Sequence, residues 1–193
     1  MNGRKILYFT FDDGPNPPCT EEILEILAQN GAEATFFVCG KNALRNPELV
    51  RRIAAQGHAL GNHSYAHAWR NIFFGRALAR EFLKTGEALR QIIGFAPRLL
   101  RAPWGKIPKS ARRKLERAGY KFFSWDLHAY DWWQPSAQWM ARRIVKRAGP
   151  GAIILLHDGE KTLVHAKRGR TAEALRICLP ELARQGYVFR KLE

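Results

Sequence analysis

The residues that could do chemistry lie in three short segments that are far apart in the sequence. Residues 10–14 (TFDDG) carry two adjacent carboxyl groups, residues 63–67 (HSYAH) carry two imidazoles, and residues 155–158 (LLHD) carry another imidazole. Each segment lies where an apolar, strand-like run ends, and a fold that gathers the carboxyl ends of its strands at one mouth would bring these groups together. Two imidazoles and one carboxylate can hold a hydrolytic metal ion, and the remaining carboxylate and imidazole can act as base and acid.

The adjacent carboxyl groups of Asp12 and Asp13 are the strongest of these signals. Two carboxylates at the end of an apolar strand repel each other and are costly to bury without a cation. If one of them binds a divalent metal ion, that conflict is removed. Because successive strand residues point to opposite faces, we expect separate roles, one residue binding metal and the other facing the substrate as a base. The alternative is an acidic turn at a strand end.

His63 and His67 are four residues apart. If one helical turn follows the third strand, this spacing points both imidazoles the same way. Two unrelated polar histidines are the alternative reading.

Three further residues could support such a site. Arg101 follows an apolar run, and its guanidinium could orient a carboxylate, although a surface arginine before a turn is the alternative. His157 ends the most apolar strand, so it is either a neutral core histidine or a general acid. Asp131 could supply the carboxylate that orients His157 and raises its pKa.

Several tryptophans flank the polar strand ends, and aromatic faces in such places can line a sugar subsite. Core packing is the default expectation for Trp125 and Trp139. The tryptophans concerned are Trp104, Trp125, Trp132, Trp133 and Trp139.

The elements that must position these residues follow a repeat in which a helical segment ends in glycine and an apolar run follows. About seven runs are predicted as strands, at residues 6–11, 34–38, 58–62, 99–102, 120–125, 152–156 and 187–192. Nearly continuous apolar strands that alternate with helices predict a parallel α/β sheet. Because polar residues end many strands, we predict an irregular (β/α)7–8 barrel rather than an open doubly wound sheet. No GxGxxG or P-loop pattern follows the first strand, so nucleotide binding has little support.

Helix boundaries are also legible in the sequence. Thr20, followed by Glu21 and Glu22, is predicted to cap the first helix. Residues 75–93 are predicted to be mostly helical, and Pro180 is expected to kink or break the last helix.

The bulk properties predict one domain over residues 1–193 with a net charge of +15. A basic surface can meet anionic lipid, nucleic acid or an acidic polymer, or it can simply be solvated. A basic binding module is therefore an alternative function, but no RNP, helix-turn-helix or zinc-finger pattern supports specific nucleic-acid binding. Three scattered cysteines argue against a disulfide framework.

The amino terminus leads directly into the first predicted strand without a signal peptide, and no apolar run approaches the length of a membrane span. We therefore expect a cytoplasmic protein, peripheral at the membrane if its basic surface binds lipid. It would be secreted only if the chain is trimmed from a longer secreted protein.

The order TFDDG, HSxxH, RxPxG, DW and LLHD resembles the polysaccharide deacetylase family, also called the NodB-homology family or carbohydrate esterase family 4. The resemblance extends from about residue 6 to residue 192. It implies an irregular barrel that removes N-acetyl groups from a glycan by metal-dependent hydrolysis. It also implies one divalent metal ion, with zinc as the leading candidate and cobalt, nickel or manganese as alternatives. Related family members suggest other reactions on the same scaffold, namely hydrolysis of formyl groups, small amides or O-acetyl esters.

The resemblance also assigns roles. It implies that Asp12 is the base oriented by Arg101, and that His157 is the acid held by Asp131. The implied metal ligands are Asp13, His63 and His67, and the implied pocket residues are Trp104, Trp132 and Leu155.

The chain departs from the family pattern in places. Trp104 stands where the family usually has tyrosine, at the position whose backbone N–H helps to hold the oxyanion. Ala102 replaces a common proline, and His128 stands where the family often has an acid, with Asp126 two residues earlier. The implied partner is an N-acetylated carbohydrate, and the basic surface would suit an acidic polymer or a lipid-phosphate-linked sugar.

Overall fold

The chain alternates short parallel strands with helices, and the computed structural model describes residues 5–69, 73–133, 135–159 and 169–193. The strands are β1 (Lys5–Asp12), β2 (Ala34–Val38), β3 (Ala59–Asn62), β4 (Leu99–Leu100), β5 (Lys121–Phe122), β6 (Leu127–His128), β7 (Ile153–His157) and β8 (Tyr187–Phe189). The helices are α1 (Cys19–Gln29), α2 (Gly40–Arg45), α3 (Pro47–Ala55), α4 (Gly75–Ile93), α5 (Lys109–Arg117), α6 (Ala137–Arg147) and α7 (Gly169–Arg184).

The strands form one curled parallel sheet in the order β5-β4-β3-β2-β1-β7-β6. β8 lies off this path and pairs with the first half of β1, where Leu7 is in register with Phe189. The sheet is a half-barrel with helices packed on it, which confirms the predicted irregular α/β barrel. All residues of β2 are buried, as expected for a parallel strand covered on both faces.

The predicted strand over residues 120–125 is shorter than expected, and β6 is an additional strand. After β5, the carbonyl oxygens of Phe123 and Ser124 accept hydrogen bonds from the guanidinium of Arg101. Backbone groups that serve Arg101 are not available to a neighbouring strand, so β5 ends at Phe122. The chain resumes pairing at β6, where Leu127 is in register with Ile154.

The structure corrects the predicted cap at Thr20 and the predicted break at Pro180. The first helix begins at Cys19 with Pro18 at the N-cap, and Thr20 makes no capping bond. Its hydroxyl instead accepts the N–H of Asn16 at 2.8 Å and donates to Asp158 at 2.6 Å. Pro180 lies inside α7, which continues to Arg184, so it does not break that helix. α4 spans the predicted residues.

The parallel register collects the strand ends at one edge of the sheet. Asp12 at the end of β1 is in register with His157 at the end of β7. Asn62 at the end of β3 is in register with Leu100 at the end of β4. The residues that follow these positions, His63 and Arg101, therefore lie at the same edge. Within the ranges given above, no helix is long and apolar enough to cross a membrane.

Candidate active site

A carboxylate and two imidazoles form a group that could hold a metal ion. The candidate ligand atoms of Asp13, His63 and His67 all lie within 4.8 Å of one another, and all three residues are buried. Asp13 Oδ1 is 3.6 Å from His63 Nε2 and 3.5 Å from His67 Nε2. The Nδ1 atom of His63 lies 2.8 Å from the carbonyl oxygen of Arg101. Because a carbonyl only accepts, Nδ1 carries the proton and Nε2 keeps the lone pair that a metal ion needs. The residues therefore fit a divalent cation.

The two histidines converge for a different reason from the one predicted. Residues 63–67 are not helical, and both Ser64 and His67 have left-handed backbones, with φ of 68° and 50°. The N–H of Ser64 donates to the side chain of Asn62 at 3.0 Å, and the N–H of His67 donates to Ser64 Oγ at 3.3 Å. A tight loop stapled by these two side chains brings the imidazole centroids within 4.9 Å of each other.

The two aspartates do not point to opposite faces as predicted. Asp12 Oδ2 lies 3.6 Å from His63 Nε2, the same distance that separates His63 from Asp13. Asp13 has a φ of 74°, so it has left the extended conformation in which side chains alternate. The two carboxylates still have different partners, because the second oxygen of Asp12 contacts Arg101.

Arg101 is fully buried, which rules out the surface-arginine alternative. Its guanidinium donates to Asp12 Oδ1 at 2.9 Å and to the hydroxyl of Thr10 at 2.7 Å. It also lies 4.2 Å from the centre of the Phe37 ring. A buried guanidinium with all of these partners is held rigidly, so it fixes the position of the Asp12 carboxylate.

His157 and Asp131 form a second pair on the other side of the site. His157 Nδ1 is 2.8 Å from Asp131 Oδ1, while Asp131 Oδ2 accepts the backbone N–H of His157 at 2.7 Å and the Thr171 hydroxyl at 3.1 Å. Burial alone would lower the pKa of His157, but the charge and hydrogen bond of Asp131, together with Asp13 and Asp12, raise that pKa to about 9. Because His157 lines the site cavity and pairs with a buried carboxylate, it is not the core histidine of the alternative interpretation.

These groups face one cavity of about 540 Å³. It is lined by Asp12, Asp13, His63, His67, Ala102, Trp104, Trp125, His128, Trp132, Leu155 and His157. Arg101 and Asp131 are also predicted site residues, but neither is among the described residues that line the cavity. They bind residues that do: Arg101 binds Asp12, and Asp131 binds His157. Trp125 lines the cavity and Trp139 is 46% exposed, so the expectation that these two tryptophans belong to the core is wrong.

The Trp104 backbone is strained, with a φ of 54°, and its ring lies 4.1 Å from that of His67. His128 also lines the cavity, beside Tyr130 at 3.9 Å between ring centroids. Asp126 is exposed and accepts the N–H of Ile153 at 2.8 Å, at the far end of β7, so it does not enter the site.

Asp158 is a site residue that the sequence reasoning missed. It is fully buried, its Oδ1 accepts the N–H of Gly14 at 3.1 Å, and its own N–H donates to the carbonyl of Asp12 at 3.2 Å. A Cβ atom at Gly14 would lie 2.0 Å from an Asp158 oxygen, so this approach requires glycine. Asp158 therefore clamps the turn that carries Asp12 and Asp13. The signal available in the sequence is its position directly after His157, at the end of an apolar run.

The electrostatics of Asp158 follow from this position. Burial raises its pKa to about 7; the hydrogen bond from Thr20 opposes this shift, whereas the charges of Asp13 and Asp12 add to it. The bond to Thr20 connects the clamp to the start of α1.

Comparison with known proteins places this site in context. The family model described as polysaccharide deacetylase matches residues 1–123. A peptidoglycan-N-acetylglucosamine deacetylase from Bacillus cereus is 37% identical over 190 residues, which cover 97% of this chain and 86% of that protein. A chitooligosaccharide deacetylase from Bradyrhizobium sp. is 35% identical over 194 residues, which cover 97% of this chain and 89% of that protein.

Solved structures show the same likeness. A peptidoglycan deacetylase from Bacillus subtilis superposes with a TM-score of 0.88 at 29% identity, covering 98% of this chain and 89% of that one. A family 4 carbohydrate esterase from Streptomyces lividans, in complex with acetate, gives a TM-score of 0.84 at 31% identity, covering 97% and 92% of the two chains.

The clamp role of Asp158 can be tested with Asp158→Ala. The substitution leaves the buried Gly14 N–H without its acceptor, so we expect a loss of about 1–3 kcal/mol in the free energy of unfolding. Zinc affinity, measured by competition with a chromogenic chelator, should fall about tenfold because the turn that carries Asp13 is no longer held in place. Asp126→Ala is the matched control, since it also removes a carboxylate that accepts a backbone N–H but lies far from the ligands. Equal zinc affinities in the two variants would contradict the clamp.

Proposed function

The chain belongs to the polysaccharide deacetylase family, and we propose that it is a metal-dependent hydrolase that removes N-acetyl groups from a glycan. The observation that carries the proposal is one cavity that joins a metal-ligand group to a base candidate on one side and an acid candidate on the other. The relatives named above deacetylate N-acetylglucosamine in peptidoglycan and chitooligosaccharides, so a glycan containing that sugar is the proposed substrate.

We propose that Asp13, His63 and His67 hold zinc, with cobalt, nickel or manganese as alternatives that also accept nitrogen and oxygen ligands. When bound, such an ion polarises the acetyl carbonyl and makes a water molecule more acidic. The support for this assignment is the proton on Nδ1 of His63, which leaves its Nε2 lone pair free to face Asp13.

The chain's own residues then move the protons. Asp12, held by Arg101, accepts a proton from the attacking water. His157 donates a proton to the departing amine, which is a poor leaving group unless it is protonated. A pKa of about 9 keeps His157 protonated at neutral pH, as an acid must be. The basic binding-module alternative gives no reason for this buried acid and base.

The cavity wall selects the acyl group in this proposal. Leu155 and Trp132 form apolar sides suited to an acetyl methyl group, and the backbone N–H of Trp104 helps to stabilise the oxyanion. Tryptophan at position 104, where the family usually has tyrosine, keeps this backbone donor because only the side chain differs. We further propose that the glycan carries negative charge, as an acidic polymer or through a lipid phosphate, because the chain has a net charge of +15.

The direct test is acetate release from a panel of N-acetylated glycans, with and without a chelator. We expect release from N-acetylglucosamine oligomers that stops with the chelator and returns when zinc is added. Formylated sugars, small amides and O-acetyl esters belong in the same panel. Faster turnover of one of those would replace the N-acetyl assignment, and chelator-resistant release would contradict the metal.

The base assignment predicts that Asp12→Asn lowers the rate of acetate release by roughly 10²–10⁴-fold, because the amide cannot accept the water proton. The amide oxygen can still accept from Arg101, so folding should be retained. Bound zinc, measured by elemental analysis, should be unchanged, whereas Asp13→Ala should lose it. Full activity in Asp12→Asn would exclude Asp12 as the base.

The acid assignment predicts a shift in the pH profile of Asp131→Asn. A histidine with a raised pKa is protonated below that pKa, so activity should fall as the pH rises through about 9 in the native protein. Without the Asp131 charge, burial dominates and the alkaline limb of kcat should move to lower pH. Thr171→Val is the control, because it removes a hydrogen bond to Asp131 but keeps its charge. An unshifted limb in Asp131→Asn would remove Asp131 from this role.

A further inference from the structure

Two groups of aromatic side chains adjoin the wall of the cavity. On one side, the Trp104 ring of the cavity wall is 5.1 Å from the Trp69 ring, which is 5.7 Å from Phe73. On the other side, Trp132 of the cavity wall is 6.3 Å from Trp133, with the ring planes only 16° apart. Each of the two groups thus begins at a tryptophan of the cavity wall. We call the exposed members the aromatic rim, which consists of Trp69, Phe73, Phe74, Trp132 and Trp133.

The aromatic rim is far more exposed than catalysis requires. Phe73 is 65%, Phe74 64% and Trp133 76% exposed. None of these three is among the described residues that line the cavity. Large apolar side chains grouped in this way on a surface mark a site that contacts another molecule or a membrane.

Basic residues accompany the aromatic rim. Residues 88–115, which run from α4 past Trp104 and into α5, contain no aspartate or glutamate. Lys106 and Lys109 are exposed in this segment, and Arg76 is exposed directly after the rim phenylalanines. A Cβ atom at Gly75 would lie 2.5 Å from Ser110 Oγ, so the start of α4 abuts the start of α5. The exposed residues at these two helix starts, Phe74, Arg76 and Lys109, therefore lie near one another.

We propose that the aromatic rim and its basic neighbours form an interfacial surface that docks the protein onto an anionic lipid bilayer. This proposal rests on the proposed function in one respect, since it places the deacetylase cavity against sugars carried at a membrane surface. Phenylalanine has no hydrogen-bonding group, so its ring gains little from the charged groups of an acidic polymer or from nucleic-acid phosphates. The acyl boundary of a bilayer can bury such rings while the headgroups meet Lys106, Lys109 and Arg76.

The test compares vesicles of phosphatidylcholine alone with vesicles of equal parts phosphatidylcholine and phosphatidylglycerol. We expect the full chain to sediment with the anionic vesicles, with a blue shift of tryptophan emission, and to remain in the supernatant with the neutral ones. The double variant Phe73→Ser, Phe74→Ser should lower the partition coefficient roughly tenfold, because two apolar anchors are lost. Phe95→Ser is the matched control, because Phe95 is 55% exposed but follows the opposite end of α4.

The contribution of the basic residues can be tested with two matched substitutions within α5. Lys109 begins α5 beside the aromatic rim, and Arg117 ends α5 at the other end. Lys109→Glu should weaken binding to the anionic vesicles, and Arg117→Glu should leave it nearly unchanged. Equal losses in these two variants, or in the Phe95 and rim variants, would show binding by overall charge or overall hydrophobicity and would overturn the proposal.

Soluble polyglutamate separates a lipid from an acidic polymer. If binding of polyglutamate depends on Phe73 and Phe74 as strongly as vesicle binding does, the occupant is a polymer and the bilayer proposal is wrong. All sedimentation measurements are repeated in Asp12→Asn, since docking needs no turnover. Acetate release from soluble oligosaccharides in the rim variants reports on the proposed function alone. Intact release without vesicle binding would therefore sink only the docking surface.

Discussion

Two carboxylates buried side by side are the constraint on which the rest of the site depends. Asp12, the last residue of β1, is 3% exposed, and Asp13, which follows it, is 7% exposed. Adjacent buried charges of one sign are costly unless opposite charges and donors face them. Arg101 faces Asp12, and the imidazoles with the cation they would share face Asp13. These compensating groups follow β3 and β4. The sheet must therefore curl so that the ends of β3 and β4 come close to the end of β1, because only then are the two buried carboxylates compensated.

His157 and Asp158, which are neighbours at the end of β7, make different contacts. His157 turns into the cavity and pairs with Asp131, whereas Asp158 turns away from it and binds Gly14 and Thr20. This is the alternation of an extended chain, and here it holds because β7 keeps its strand geometry through His157. One strand end thus supplies both the proposed acid and a clamp for the turn after β1. Substitutions at the two positions should therefore change different properties of the protein.

The sequence predicts the parts of this molecule that follow from periodicity, and it misses the parts that follow from local backbone conformation. Apolar runs with polar ends identified the parallel sheet and the edge where the site residues gather. The left-handed backbones of Asp13, Ser64, His67 and Trp104 are not visible in the same way, because none of these residues is glycine. That is why the histidines were assigned to a helical turn and the aspartates to opposite faces. Thr20 was assigned to a cap because its distant partner, Asp158, can be recognised only in three dimensions.

The large positive charge of the chain lies outside the cavity. None of the described residues that line the cavity is lysine or arginine, and Arg101 behind the wall is neutralised by Asp12. The excess charge instead lies on exposed positions of helices such as α5, whose residues 112–114 are all basic. Charge placed there acts on association with a partner and not on the barrier of the bond-breaking step. The fold therefore separates two features in space, since the strand ends hold a compact site whose charges are compensated, while the excess positive charge lies on the helices.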